Sequence, residues 1–192
     1  MRKTLIAGLA LFMALPAVSM AQRDDQFVFG IGGGATFPTG VANDLHTVGA
    51  HGMASWGIGM VDSRWGIRFD GTYSSLGGRS SNDAVPGQAA ITQGDAKVFI
   101  LSGSGVVNLY GSNTHVYMLG GLGGFWYNPE GSGRRSKNDL ALQAGLGVFL
   151  PVMNSFIEVK FVNLYRALPN TSTGVQGKKS AKLIPVTLGI LF

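Results

Sequence analysis

Eight segments of the chain carry apolar side chains at every second position, a period of two that predicts β-strands with one apolar face. In the clearest of them, Trp65, Ile67 and Phe69 alternate with polar or small residues. The eight segments are 27–37, 47–60, 65–75, 96–109, 114–127, 140–150, 156–165 and 183–192. In 96–109 and 114–127 both faces hold apolar residues and glycine, so the pattern leaves their facing open.

The composition excludes several classes of protein. The 192 residues include 30 glycines and no cysteine, so neither a disulfide framework nor thiolate chemistry is available. The glycines follow no period of three, which excludes collagen. Charged residues make up only 13%, which excludes a disordered polar chain. After residue 22 no apolar stretch is long enough for a transmembrane helix, which needs about 20 residues.

The connections between the eight segments alternate strictly between short and long. The short ones are 61–64, 110–113 and 151–155, and the long ones are 38–46, 76–95, 128–137 and 166–182. This alternation is typical of membrane barrels, which have tight turns at one end and loops at the other. We therefore predict an all-β fold, an eight-stranded antiparallel up-and-down transmembrane β-barrel. A soluble exported β-sandwich or a lipocalin-like binder is the alternative fold.

The first 21 residues have the three parts of a secretory signal peptide: a basic start, a short apolar run and small residues before Gln22. The run from Thr4 to Leu15 is too short to span a bilayer as a helix. An N-terminal membrane anchor is the alternative. We expect export and cleavage after Ala21, which divides the chain into a signal peptide, 1–21, and a barrel domain, 22–192.

The final segment ends on an aromatic residue, and Val186, Leu188, Ile190 and Phe192 share one face of it. This strand resembles the closing strand of the small eight-stranded bacterial outer-membrane β-barrels of the OmpA and OmpX type. The resemblance implies a protein of the outer membrane in a Gram-negative envelope. It also implies that these four residues form the signal read by the barrel-assembly machinery. We expect a monomer surrounded by outer-membrane lipid.

Four charged residues lie in the middle of predicted strands, on the faces opposite the apolar ones. They are Arg68, Asp70, Glu158 and Lys160. A charge that faced lipid at mid-depth would cost about 2–4 kcal/mol, so we predict that all four point into the lumen. Two acids and two bases sum to zero, which favours a polar plug that satisfies itself, with His51 and Gln143 joining by hydrogen bonds. A narrow gated pore or a small-solute site is the alternative.

Seven aromatic residues lie mostly near the predicted strand ends, where membrane barrels carry girdles of rings at the two interfaces. They are Trp56, Trp65, Tyr73, Tyr117, Trp126, Tyr127 and Tyr165. In a soluble β-sandwich the same rings would be ordinary core residues.

The long connections and their ends are rich in arginine and lysine. The two basic clusters comprise Arg134, Arg135 and Lys137, and Lys178, Lys179 and Lys182. Basic groups at the outer leaflet would meet lipopolysaccharide phosphates, so we predict contact with lipopolysaccharide. Loop solubility is the alternative. The clusters lack interleaved aromatic residues, so no nucleic-acid partner is expected.

No motif in the sequence predicts an enzyme. The three histidines, His46, His51 and His115, lack a metal-ligand spacing, and no helix follows the glycines of 30–34 that could complete a phosphate-binding loop. We therefore expect no catalytic residue, no metal and no cofactor. Two function classes remain: a structural, adhesion or surface-interaction protein with a plugged lumen, and a narrow porin-like channel for small solutes. A lipid-modifying barrel enzyme is a third alternative.

Overall fold

The computed structural model describes residues 27–59, 64–78, 94–110, 115–130, 136–150, 154–169 and 178–192. Within them lie eight strands and one short helix. The strands are β1 Phe27–Thr39, β2 His46–Ile58, β3 Trp65–Gly78, β4 Ala96–Tyr110, β5 His115–Pro129, β6 Lys137–Leu150, β7 Ser155–Pro169 and β8 Lys178–Leu191, and the helix is α1, Val41–Leu45. The expected signal peptide, 1–21, lies outside the described residues.

The eight strands form a closed antiparallel barrel, in which each strand pairs with the next and β8 pairs with β1. Closure pairs the edge strands with each other, so the sheet is left without an open edge. The predicted fold class is confirmed. No helix in the described part of the chain has the length and apolar character needed to cross a membrane.

The seam between β1 and β8 extends from the Gly30–Leu191 pair to the Thr39–Lys182 pair. Beyond it, the Phe29 N–H donates to the Phe192 carbonyl oxygen at 3.2 Å, and the Phe192 N–H donates to the Phe29 carbonyl oxygen at 2.7 Å. The two rings lie 6.3 Å apart between centroids. Phe192 therefore contributes both backbone and ring to the closure of the barrel.

The two ends of the barrel differ. The loop end carries the connections β1–β2, β3–β4, β5–β6 and β7–β8, and the turn end carries the other three together with Phe27 and Phe192. Along β3 the outward side chains Trp65, Ile67 and Phe69 are 66%, 57% and 47% exposed. The inward side chains of Arg68 and Asp70 on the same strand are buried, as the period of two predicts.

The interior has three layers along the barrel axis. A loop-end cluster of buried apolar side chains comprises Ala42, Leu76, Ala96, Val98, Ile100, Phe125, Tyr127, Ala141, Val162, Leu164, Ala181 and Leu183. A turn-end cluster comprises Met53, Val106, Tyr117, Leu119, Phe149 and Phe156. Along β7 the buried Glu158 and Lys160 lie between Phe156 of the turn-end cluster and Val162 of the loop-end cluster, and Arg68 and Asp70 contact them. The facing left open for 96–109 and 114–127 is thereby settled, since both segments contribute residues to the two clusters.

The connection between β1 and β2 is shorter than the expected 38–46 because β1 continues to Thr39 and β2 begins at His46. Gly40, with a φ of 58°, turns the chain into α1. Val41 and Leu45 pack on the loop-end cluster, and Ala42 is buried within it. The apolar residues of this connection therefore fold over the loop end of the barrel.

Several basic residues expected in connections lie on strands instead. Lys137 begins β6, while Lys178, Lys179 and Lys182 belong to β8. The strand begins early because Ala181 and Leu183 continue the inward alternation, which leaves Lys182 pointing outward. Arg134 and Arg135 lie outside the described residues.

Two of the seven expected girdle aromatics are not on the outer surface. Tyr117 is fully buried in the turn-end cluster, and Tyr127 is buried in the loop-end cluster. For these two rings the girdle prediction is wrong, because they occupy inward positions of β5. Trp65, Tyr73 and Trp126, in contrast, are 66%, 48% and 46% exposed.

Candidate functional site

The centre of the lumen is crossed by a bidentate ion pair between Arg68 and Glu158. Arg68 Nη1 donates to Glu158 Oε2 at 2.6 Å, and Arg68 Nη2 donates to Glu158 Oε1 at 2.8 Å. Arg68 belongs to β3 and Glu158 to β7, which are four strands apart in the closed order. The pair therefore joins opposite walls, and the planar fork of the guanidinium matches the two carboxylate oxygens.

Asp70 is the second acid that contacts Arg68. It lies two residues further along β3, on the same inward face. Arg68 Nη2 donates to Asp70 Oδ2 at 3.0 Å, and Arg68 Nε lies 2.8 Å from Asp70 Oδ1. One guanidinium thus lies between two carboxylates.

Lys160 balances the second acid. Its Nζ lies 3.3 Å from Glu158 Oε1 and 3.4 Å from Asp70 Oδ2, and it donates to the Met53 sulfur at 3.2 Å. The side chains of all four charged residues are at most 2% exposed. The structure therefore brings Arg68, Asp70, Glu158 and Lys160 into one buried cluster, which we call the charge cluster, with a net charge of zero.

Tyr117 attaches the charge cluster to the turn-end cluster. Its hydroxyl donates to Glu158 Oε2 at 2.7 Å, and its ring is stacked on Phe149 with centroids 4.5 Å apart. Tyr117 is opposite Gly147 in the β5–β6 register, and a Cβ at Gly147 would collide with the tyrosine ring. Tyr117 was not predicted to join the polar plug, because the facing of its segment was open.

His51 and Gln143 face the lumen but bond to residues outside the charge cluster. His51 Nδ1 lies 3.0 Å from Thr36 Oγ1, and its Nε2 lies 2.9 Å from Thr187 Oγ1. Gln143 Nε2 donates to Ser104 Oγ at 2.7 Å. These hydrogen bonds take the place of the expected bonds to the four charges.

The glycine at position 121 explains why Gln143 bonds to Ser104 rather than to the charge cluster. In the register, Gln143 is opposite Gly121, and Gly121 is in turn opposite Ser104. Because Gly121 has no side chain, Gln143 extends over β5 to a residue two strands away.

A further buried pair lies at the loop end. His46 Nε2 is 2.8 Å from the Tyr127 hydroxyl oxygen, and the two rings meet edge to face with centroids 6.0 Å apart. His46 is the first residue of β2, directly after α1. The three histidines are not brought together, and the described residues include no group of three acids, histidines or cysteines that could hold a metal ion.

Comparisons with known proteins agree with this architecture. No family model and no curated protein sequence matches the chain. The crystal structure of Neisserial surface protein A matches with a TM-score of 0.52 and 14% identity, over 86% of this chain and 94% of that one. The chain has the fold of a small eight-stranded outer-membrane barrel. The predicted resemblance is thus confirmed at the level of the fold.

Two structures of the Yersinia pestis protein Ail also match this barrel. The crystal structure of Ail with the heparin analogue sucrose octasulfate matches with a TM-score of 0.47 and 17% identity, over 87% of this chain and 97% of that one. The backbone structure of Ail in a phospholipid bilayer nanodisc matches with a TM-score of 0.46 and 18% identity, over 87% and 99%.

The geometry restricts what this small barrel can do chemically. Both carboxylates of the charge cluster are held by basic side chains, so both are already engaged within the protein. Leaving one of these groups without its partner would expose an uncompensated buried charge, which is costly. The charge cluster is suited to holding opposite walls of the barrel together.

Proposed function

We propose that the chain is an outer-membrane protein with a closed lumen that acts through its outer surface, in a structural, adhesion or surface-interaction role. The observation that carries this proposal is the charge cluster between the two apolar clusters. An ion entering from either end would first meet apolar side chains, and then a neutral set of charges already paired with one another. A path that selects one sign of ion would need a ring of like charges instead.

The outer wall supports the membrane location. The exposed apolar residues of β3 extend from Trp65 to Tyr73. With about 3.3 Å per residue and a tilt of about 40°, this span is about 20 Å high, close to the apolar band of about 25 Å in membrane barrels. Every strand carries exposed apolar side chains. In water such a surface would cause the protein to associate, whereas in a membrane it contacts lipid acyl chains. The name of the Neisserial surface protein agrees with a position at the cell surface.

The predicted signal peptide supports the same location. The signal-like residues 1–21 would direct the chain out of the cytoplasm, and the terminal Phe192 would be read by the barrel-assembly machinery. The mature protein should begin at Gln22. Intact-mass measurement of the protein from the outer-membrane fraction tests this, and retention of residues 1–21 would favour the membrane-anchor alternative.

A liposome-swelling assay tests the closed lumen. Liposomes that contain the refolded full barrel should swell no faster in small sugars or amino acids than liposomes without protein. Heat-modifiable migration on a gel verifies that the barrel is folded in the same sample. Rapid swelling by a folded barrel would favour the porin-like alternative.

The basic clusters extend the proposal to lipopolysaccharide. Arg134, Arg135 and Lys137 lie in or beside the β5–β6 connection at the loop end, where they would meet phosphate groups of the outer leaflet. Replacing all three by serine should weaken lipopolysaccharide binding to the folded barrel. Unchanged affinity would leave loop solubility as their role. We assign no catalytic residue, cofactor or metal, and we expect the barrel to be monomeric.

A further inference from the structure

Three polar side chains lie in a row on the outer wall near the loop end. Lys182 of β8 is directly opposite Thr39 of β1 and directly opposite Asn163 of β7. Directly opposite residues in an antiparallel sheet share a face, about 5 Å apart between neighbouring strands. Lys182 is exposed on the outward side of β8, so the row, which we call the polar row, faces the surroundings of the barrel.

The polar row stands at the upper border of the apolar wall. One step towards the turn end on the same strands, the outward residues are Phe37, which is 41% exposed, and Phe161, which is 44% exposed. Below them the wall continues through Val159 and Leu188. In a membrane this places the ammonium of Lys182 at the level of the lipid headgroups, with acyl chains against the phenylalanines beneath it.

Lys182 differs from Lys97, which is also on the outer wall at this end. Lys97 of β4 is paired with Glu130, with 2.5 Å between Nζ and Oε1. Among the residues that the structure describes, no carboxylate lies within ion-pair distance of Lys182. Lys182 therefore presents a positive charge that the described protein does not neutralise.

Asn163 provides a second, independent observation. Its Oδ1 is buried from solvent and has no hydrogen-bond partner in the described part of the protein. On the side away from Lys182, Asn163 is directly opposite Leu142 of β6, and an unpaired amide oxygen beside apolar side chains is costly. The residue as a whole is partly exposed. Turning its side chain outward would bring both the donor and the acceptor of the amide to a bound polar group.

We propose that the polar row binds the phosphate of an outer-leaflet lipid, with the acyl chains of that lipid lying on Phe37 and Phe161. The Lys182 ammonium pairs with the phosphate. On binding, the Asn163 side chain turns outward, so that its amide N–H donates to the phosphate and its oxygen accepts from a headgroup hydroxyl. This site rests on the membrane placement proposed above and names one partner for the outer wall, separate from the loop arginines.

Native mass spectrometry of the full barrel, released from detergent with added lipid A, tests this site. Lys182→Ser should weaken binding of doubly phosphorylated lipid A about fivefold, which corresponds to the contribution of one lysine beside an anionic lipid. Asn163→Leu should also weaken binding. Lys97→Ser is the matched control, because it removes a lysine of the same wall that already has a partner, and it should bind as the wild type does.

Two further binding measurements test whether both the phosphate and the acyl chains of the lipid are recognised. Dephosphorylated lipid A should bind wild type and Lys182→Ser equally, and excess inorganic phosphate should compete poorly because it lacks acyl chains. Equal losses in Lys182→Ser and Lys97→Ser, or no loss in either, would overturn the site. A barrel that folds and inserts into bilayers but shows no preference for the phosphorylated lipid refutes this inference alone, whereas failure to insert would refute the proposed membrane function.

Discussion

At the scale of single residues, small and charged side chains depend on each other inside the barrel. Arg68 reaches the opposite wall, and Tyr117 packs over Gly147 to reach the same carboxylate. Gln143 uses the space above Gly121 in a similar way. The many glycines of the chain therefore leave inner space that a few large polar and aromatic side chains fill.

Breaking the charge cluster on one side should cost more than removing a balanced pair. Glu158→Gln leaves Arg68 and Lys160 with only Asp70, and we expect a loss of about 3–5 kcal/mol in the free energy of unfolding. The double variant Arg68→Leu with Glu158→Leu keeps the remaining charges balanced and should lose less. Urea unfolding in lipid vesicles, followed by tryptophan fluorescence, measures both.

Lys97→Ser is the control for that series, since it breaks the exposed pair with Glu130 and should leave the free energy of unfolding nearly unchanged. If the double variant proved less stable than Glu158→Gln, the charge cluster would contribute net stability as a pair, contrary to this account.

A side chain at Gly147 should displace Tyr117. Gly147→Val places its Cβ in the tyrosine ring, and we expect a cost of about 1–3 kcal/mol from overpacking. Gly120→Val on β5 is the matched control, because a Cβ there meets nothing within 4 Å. The same unfolding measurement compares them, and equal stability of the two variants would contradict the assigned packing of Tyr117.

At the scale of strands, the period of two predicted which segments pair and which faces they bury wherever one face was clearly apolar. It predicted the inward facing of Arg68 and Glu158 for that reason. The period of two did not decide which face of β4 and β5 points inward. The interior apolar clusters put Val98 and Phe125 on the same side as Ser102 and Ser104. A lumen that is part apolar and part polar cannot be read from alternation alone, so the role of Tyr117 was missed.

Strand ends were the least predictable feature. Lysine and proline in 166–182 favoured a loop, yet β7 continues to Pro169 and β8 begins at Lys178. Pairing across the β7–β8 hairpin overrides the weak local preference of these residues. The connection that contains α1 was predicted only as the long connection 38–46, and burial of Ala42 on the barrel mouth stabilises its helical turn.

The register of the seam can be tested with a disulfide, because the chain has no cysteine of its own. Ala35 is directly opposite Val186, so Ala35→Cys with Val186→Cys should form a bond across β1 and β8. After boiling without reductant, this linked chain should migrate faster than the reduced one. Ala35→Cys with Leu188→Cys is the control that should stay open, and linkage of the control alone would mean that the register is shifted by two residues.

At the scale of the whole molecule, the barrel combines an apolar outer wall with an interior that holds two apolar clusters and the buried charge cluster. The wall explains the high apolar and low charged content of the chain, and the paired interior explains how four buried charges are tolerated. The same organisation places the surface available to partners at the loop end and on the outer wall. On the proposed function, the barrel acts by what its surface displays and binds and passes no solute through its lumen.

The most direct test of that claim is a planar-bilayer recording of the refolded full-length barrel. We expect a silent bilayer after insertion, with folding verified by heat-modifiable migration. A variant that removes much of the turn-end cluster and one wall of the charge cluster, Tyr117→Gly with Phe149→Gly and Arg68→Gly, should raise the current if these side chains block the lumen. Steady, reproducible openings of the wild-type barrel would contradict the closed lumen and establish the protein as a channel.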